Sequence, residues 1–551
     1  MHQPPRNHIP LSLRPFAPLS LHLLAPLCLG AFVPLCLATA SGSEPAKAPY
    51  KILYSNDSTN IASCISPYHR ARQPVTDDML RATIDEAAAA DCQLLQPGLG
   101  WVPFWQSKLY PPAEHYRYYQ DKGDFRPSSF AKYLLAGGDM VETFVEHCHQ
   151  KKLAAFVSLR LNDGHHLDLA VTGDPRAADS VSRFYREHFL EYRLGPDPKD
   201  WSQRVLNWAI PAVREHKLAF IRELCQNYDL DGFELDYMRF FNFFRQKETT
   251  GQQRREIMTG FVRQVREVLD RTARPGRQRW LCVRVPALLE THDALGIDLP
   301  AMRSAGVEMF NLSCSYFTVQ QLDLAAFRKL LPDAAIYLEM THTTLTGPSR
   351  GGYDSFTFER TKPEQFYTTA HLAYRHGLDG LSLFNFVYYR EHGTEGRGPF
   401  NEPPFEVLGR LADRDFVARQ PQWYVVAGTG TKPLFTKWLL PRILKAEEKA
   451  DFRLDLRPNE QRTRDGLVRV LAAAALPDKS LQVTINGEAL EPADFVRKPL
   501  PHPYEAMLGD AEQFACLKLP RRLVRDGYND LQINNTSPKT VKLLNIDLAL
   551  P

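Results

Sequence analysis

The chain has 551 residues, 44% hydrophobic and 24% charged, a globular balance too long for one ordinary core. Lysine plus arginine number 67 and aspartate plus glutamate 64, a net charge of +3. No field of one sign points to a nucleic-acid partner or a polybasic membrane surface.

The first forty residues carry Arg6 and Arg14, no acid, and an apolar run broken by prolines, with "PLSL" at 18–21 and "PLCL" at 26–29 and 34–37. Prolines at that spacing spoil a spanning helix. The run ends in Ala38-Thr39-Ala40, small residues where a signal peptidase reads. A signal peptide over 1–40 is expected, with export to the periplasm or extracellular space and no stable membrane insertion after cleavage. Cys64, Cys92, Cys148, Cys225, Cys282, Cys314 and Cys516 follow, widely spaced and without CxxC or Cys/His spacing. They read as buried free thiols, with at most one disulfide, and not as zinc ligands.

From about 50 to 390, β-rich runs alternate with helical ones. Strands are expected at 50–56 (YKILYSN), 92–101, 153–163, 231–240 (DGFELDYMRF), 279–287, 307–317, 334–344 and 379–389. Helices are expected at 76–92, 139–152, 210–228, 252–271, 299–306, 321–331 and 362–377. Eight strands with helices between them fit an α/β fold, a (β/α)8 TIM barrel over 48–392, better than a doubly wound open sheet. No GxGxxG or P-loop follows the first strand. Residues 393–445 read as a linker and an irregular helical segment packed on the barrel. Residues 446–551 read as a C-terminal β-sandwich, with Asn486-Gly487 as a hairpin turn.

The fourth expected strand sets Glu234 and Asp236 two apart in an apolar run. Period-2 geometry sends both to one side, while Phe233, Leu235 and Tyr237 alternate toward the helices. A buried carboxylate pair without a use is costly, because like charges this close need partners. The competing reading is a structural network with Arg160, Arg239 or Arg284. Other strand ends offer matching groups: Trp101 and Trp105 after strand 2; Asn162, Asp163, His165 and His166 after strand 3; Asn311, Ser313 and Ser315 on strand 6; Glu339 and His342 on strand 7; Asn385, Tyr388 and Tyr389 on strand 8. Carboxylates, amides and rings suit sugar hydroxyls and sugar C–H faces.

Glycoside cleavage needs two carboxyls across the bond, and neighbours on one strand are poorly placed to flank it. Asp236 is therefore expected as nucleophile or base and Glu339, on another wall, as acid or its partner, with Asp163 the next candidate. Glu234 would orient a hydroxyl or tune Asp236. Substrate contacts are expected from Trp101, Trp105, Arg160, Asn162, Asp163, His166, Tyr237, Arg239, Asn311, Ser313, Tyr316, Asn385 and Tyr388. No cofactor or metal is expected. A metal site on Asp163, His165 and His166 is the minor alternative, because adjacent histidines on a strand point apart. A noncatalytic carbohydrate-binding barrel is the main one.

"YDLDGFELDYMRF", "LNWAIPAVREHKLAFIRELC" and "LSLFNF" together resemble bacterial glycosyl hydrolase-like barrel proteins, the group described as glycosyl-hydrolase-like family ten and its planctomycete-type relatives. The strand-4 motif is also similar to clans, the α-amylase superfamily among them, whose nucleophile is an Asp ending strand 4. That resemblance implies a TIM barrel, a carbohydrate substrate and a nucleophile at Asp236. The sequence departs from the amylase pattern at Glu234, where those enzymes carry Arg, and after strand 5, where Glu290 lies several residues beyond their acid.

Overall fold

The structure is a computed structural model that describes residues 47–57, 74–99, 101–123, 125–172, 175–345, 358–388, 402–426, 439–501 and 509–551. The expected signal peptide, Cys64 and Tyr389 lie outside the described residues. Eight parallel strands close into a barrel in chain order: β1 (Ile52–Asn56), β2 (Cys92–Leu95), β3 (Ala154–Arg160), β4 (Gly232–Asp236), β5 (Trp280–Pro286), β6 (Met309–Ser313), β7 (Ala335–Thr341) and β8 (Gly380–Phe384). β8 returns to β1 with Leu381 opposite Ile52. The fold is the (β/α)8 barrel that the strand–helix alternation implies.

The helices behind the strands are α1 (Asp77–Glu86), α2 (Met140–Gln150), α3 (Pro211–Asn227), α4 (Gly251–Thr272), α5 (Leu299–Ser304), α6 (Leu324–Leu330) and α7 (Pro363–Arg375). Their starts are written in the sequence: Asp139 accepts from the N–H groups of Val141 and Glu142, Thr250 and Gln253 form a capping box, and proline opens α3 and α7. α1 stops well short of the expected residue 92. The side-chain amide of Gln93 donates to the carbonyls of Ile84 and Ala87, both at 3.1 Å, and so satisfies the open helix end.

The barrel interior changes character along its axis. At the N-terminal end the inward residues are Leu53, Leu94, Phe156, Trp280, Met309 and Tyr337, an apolar plug. Gly232 and Gly380 are inward positions where a Cβ would meet the rings of Phe156 (2.2 Å) and Tyr337 (2.7 Å), so the missing side chains make room for those rings. One step on, the inward residues are Ser158, Glu234, Asn311 and Ser382. A further step gives Arg160, Asp236, Arg284, Ser313 and Glu339, all buried. Polar groups thus accumulate at the end where barrels carry their sites.

The C-terminal strands are β9 (Gln422–Val426), β10 (Arg442–Leu444), β11 (Lys449–Leu456), β12 (Gly466–Ala472), β13 (Leu481–Ile485), β14 (Glu488–Ala489), β15 (Phe514–Leu519), β16 (Gly527–Asn535) and β17 (Val541–Leu550). One sheet runs β9-β17-β12-β15 with β10 on β17, the other β11-β16-β13-β14. Phe452, Leu454, Val468, Val470, Ile533, Ile546 and Leu548 share the core between them, a β-sandwich. Asn486 and Gly487 turn the β13–β14 hairpin at positive φ. Within 393–445, read from the sequence as a linker and an irregular helical segment, Gln422–Val426 is instead a strand of the sandwich, paired with Leu550–Ile546. Its Trp-Tyr-Val-Val run carries β propensity, and Pro421 ends the short helix Arg414–Arg419 before it. The side chain of Gln320 bonds Val425 N (2.7 Å) and Trp423 O (3.0 Å), which docks this strand on the barrel. Among the described residues no helix is long and apolar enough to cross a membrane.

Candidate active site

At the C-terminal end of the barrel, Arg284 on β5 reaches across to β4 and β7. Its Nη1 donates to both oxygens of Asp236 at 3.1 Å, and its Nε and Nη2 donate to Glu339 at 2.5 and 2.8 Å. Ser313 on β6 also donates to Glu339. The guanidinium lies 4.0 Å from the ring centroid of Phe384 on β8. A planar fork is small, so carboxylates on its two edges lie within roughly 8 Å of each other. Burial raises the Glu339 pKa, with the charge and hydrogen bonds of Arg284 pulling the other way. The N–H of Met238 donates to Asp236 at 2.7 Å.

Glu234 sits one layer deeper. It accepts from Ser158 (2.6 Å), Asn311 (3.1 Å) and the Cys282 thiol (3.4 Å). Burial, together with the neighbouring charge of Asp236, pushes its pKa up to about 7. Glu234 is fully buried.

A second ionic group lies on the β1–β3 side. Arg160 pairs with Asp57 at 2.9 Å and with Asp163 at 3.0 Å. Burial alone would raise the pKa of Asp57, but the charges of Arg160 and Arg239 outweigh it and hold the carboxyl well below the usual range. Asp163 accepts from the backbone N–H of His165 (2.9 Å) and from its ring Nδ1. The His165 Nε2 faces Arg239, whose other terminal nitrogen donates to the Tyr316 hydroxyl. Tyr388 stacks on His342 at 5.2 Å, and Tyr316 meets both rings edge-on. Of this rim, His165, Arg239, Tyr316 and Tyr388 are partly exposed. Non-glycine residues at positive φ recur on it: His166, Phe240, Ser315 and Asn385 follow β3, β4, β6 and β8. A bulky residue in that region is uncommon and is held there by its surroundings.

The structure therefore brings Asp236, Glu339, Glu234, Arg160, Asp163, Arg239, Asn311, Ser313, Tyr316, Asn385 and Tyr388 to one end of the barrel. Asp236, Glu339 and Arg284 are 0, 1 and 2% exposed, so the acidic floor is closed over by its own ion pairs and neighbours.

Several expected substrate contacts have other work. The Trp101 indole donates to the Asp163 carbonyl at 3.1 Å, and the Lys217 ammonium lies 3.8 Å from its ring centroid. Trp105 donates to Glu223 on α3 at 3.0 Å. Both rings line a cavity of about 20 Å³ beside Gln96 and Lys217, room for a water but not a sugar. Burial pushes the Lys217 pKa down to about 7. Asn162 spends its amide on Leu206 and on the Asn242 carbonyl, pinning two loops. Tyr237 is fully buried against Phe243 on the helix side, as its alternation implies. His166 is exposed, and its neighbour His165 is the one held in the ion network. Asn311 is tied to Glu234 and Ser382 below the floor. Sequence reasoning missed Asp57, although the period-2 series Leu53, Ser55, Asp57 points it inward. Arg284 was weighed only as a structural partner, because a strand-interior arginine carries no motif.

No protein-family model and no curated protein matches the chain. Solved structures with a barrel likeness include α-L-fucosidase isoenzyme 1 from Paenibacillus thiaminolyticus (13% identity, 88% of this chain and 97% of that one, TM-score 0.36). An α-amylase from Geobacillus thermoleovorans complexed with acarbose gives 12% identity, 88 and 99% coverage and a TM-score of 0.37. Endo-glycoceramidase II from Rhodococcus sp. gives 13%, 88 and 98%, and 0.36. These neighbours are glycoside hydrolases, but likenesses this faint carry no inference about activity. The barrel assignment stands on the strand register itself.

Proposed function

We propose that this chain is a glycoside hydrolase, cleaving O-glycosidic bonds of an oligo- or polysaccharide with a carboxylate pair and without a metal. The observation that carries the reading is the convergence of Asp236 and Glu339 on Arg284. Arg284 donates to both oxygens of Asp236, the candidate nucleophile or base. Glu339, raised by burial, is the group to protonate the leaving oxygen. A proton on Glu339 also weakens its hold on Arg284, which frees that carboxyl to turn toward substrate. The separation bound of roughly 8 Å admits both retaining and inverting geometry. Arg239, Tyr316 and Tyr388 supply the rim contacts.

The test is chromatographic. Wild-type protein is incubated with a panel of oligosaccharides beside Asp236→Asn and Glu339→Gln. The reading requires product from wild type, none from Asp236→Asn, and melting temperatures high enough to show that both variants are folded.

A second reading has its own observation. Asp236, Glu339 and Arg284 satisfy one another and are buried, which is how a structural ion network looks. On that reading the barrel binds carbohydrate without cleaving it: sugars bind by calorimetry, no product forms, and Asp236→Asn changes stability alone. Export is proposed as well, from the Ala38-Thr39-Ala40 site. A mature protein beginning at Ser41 is the expected mass-spectrometric result.

A further inference from the structure

We infer that Arg239 selects substrate: the site takes a sugar bearing a carboxylate, a uronic acid residue, and Arg239 is its counter-ion. The inference rests on the carbohydrate-processing reading above and names the class of sugar.

The chain leaves β4 at Asp236 and delivers Arg239 to the rim. Phe240, the next residue, is an aromatic held at φ +57 between Trp201 (5.8 Å) and His165 (5.1 Å). A backbone bent this way is one that its surroundings must maintain.

The guanidinium so placed has unusual company. Arg160 and Arg284 each touch two carboxylates. Arg239 touches none among the described residues. Its contacts are the Tyr316 hydroxyl and the His165 Nε2. His165 accepts there, because its Nδ1 proton is committed to Asp163, so the imidazole is neutral. Burial and the charge of Arg239 also push the His165 pKa down to about 4. The two groups Arg239 touches are therefore uncharged, although Asp57 and Asp163 lie near enough for its charge to lower their pKa values. Among the described residues the buried Nε–H of Arg239 has no acceptor.

A partly exposed guanidinium that touches no carboxylate among the described residues, and that carries an unfilled donor, has hydrogen-bonding capacity left for an anion at the mouth. The guanidinium edge matches a planar carboxylate in both shape and charge, where a neutral hydroxyl matches a single hydrogen bond. Asp57, Asp163, Asp236 and Glu339 lie around the same mouth, which favours a singly charged group over a phosphate dianion. Tyr316, with its ring centroid 5.0 Å from the Arg239 guanidinium carbon, and Tyr388, edge-on to it, are partly exposed beside this guanidinium.

The experiment is titration calorimetry with the full chain carrying Asp236→Asn, so that ligand survives the measurement. The ligands are uronic-acid oligosaccharides (galacturonate, glucuronate, mannuronate) and the same oligosaccharides after carboxyl reduction. The expected result is at least about tenfold tighter binding of one acidic series over its reduced form. That ratio should collapse toward one in Arg239→Gln and be partly restored in Arg239→Lys, which keeps the charge and reports on folding. The inference is overturned if no acidic form outbinds its reduced partner, or if Arg239→Gln weakens both equally. Binding is read without turnover. Arg239-dependent binding of uronides that wild type never cleaves would sink the hydrolase reading alone, and cleavage of neutral sugars indifferent to Arg239 would sink this inference alone.

Discussion

Arg284 donates to both oxygens of Asp236 at 3.1 Å, and it does so from the neighbouring strand with both side chains out of water. The same guanidinium holds Glu339, so one cation bridges two buried carboxyl groups. Removing it strands both. Arg284→Met should therefore cost about 3–5 kcal/mol, the scale for breaking a buried ion pair from one side. Urea unfolding monitored by circular dichroism reads this directly. Arg284→Lys should recover little, because one ammonium cannot span two carboxylates as the fork does. A loss below about 1 kcal/mol for Arg284→Met would mean that the network is solvated and not a buried lock.

Glu234 gives a pH signature. Its folded pKa, about 7, lies above the ordinary value of 4.5. Between those values the folded chain binds more protons than the unfolded chain, so stability falls as pH rises from 4.5 to 7. The shift corresponds to an upper bound on the order of 3 kcal/mol. Glu234→Gln should remove this dependence. The Asn311 carbonyl oxygen is buried without a partner, and an amide flip would let it accept from the new Gln. The measurement is the difference between wild-type and variant unfolding free energies at pH 5 and pH 7.5. A constant difference would show that Glu234 stays ionised in the fold.

What the chain discloses before folding divides along a physical line. All eight barrel strands are legible because a barrel strand needs an apolar outer face and a helix-length return, and both are local patterns. The inward turn of Glu234 and Asp236 is legible for the same reason. The strand Gln422–Val426 is not, because its partner is the last strand of the chain and nothing local shows it. Nor are the partners of the site residues. Trp101, Trp105 and Asn162 follow strand ends and look like sugar contacts, but their bonds go to Asp163, Glu223 and Leu206, far away in sequence. Position on a rim is a property of spacing. What a side chain spends its hydrogen bonds on is a property of the packed loops.

Asn162 is accordingly expected to act on stability and not on affinity. Its amide donates to the Leu206 and Asn242 carbonyls and accepts from Leu206 N, all within 3.1 Å. Asn162→Ala leaves those buried backbone groups unpaired and should cost about 1–3 kcal/mol. Sugar affinity per folded molecule, measured by calorimetry well below the melting temperature, should hold. An affinity loss larger than about tenfold would return Asn162 to the substrate contacts.

Glu339 and Asp236 can be told apart by the leaving group. An acid matters only when the departing oxygen needs a proton, and a dinitrophenolate does not. Glu339→Gln should therefore lose about 10²–10⁴-fold in kcat/KM on an unactivated oligosaccharide and far less on the dinitrophenyl glycoside of the same sugar. Asp236→Asn should lose both, because nucleophile or base is needed whatever leaves. The pH profile carries the same assignment. Burial raises the Glu339 pKa, so its proton is retained further into the neutral range than an exposed carboxyl would allow. Wild-type kcat/KM should fall on the alkaline side as that proton is lost, and in Glu339→Gln this limb should disappear. If Glu339→Gln and Asp236→Asn lose both substrates alike, and the alkaline limb survives in Glu339→Gln, the proton comes from another group.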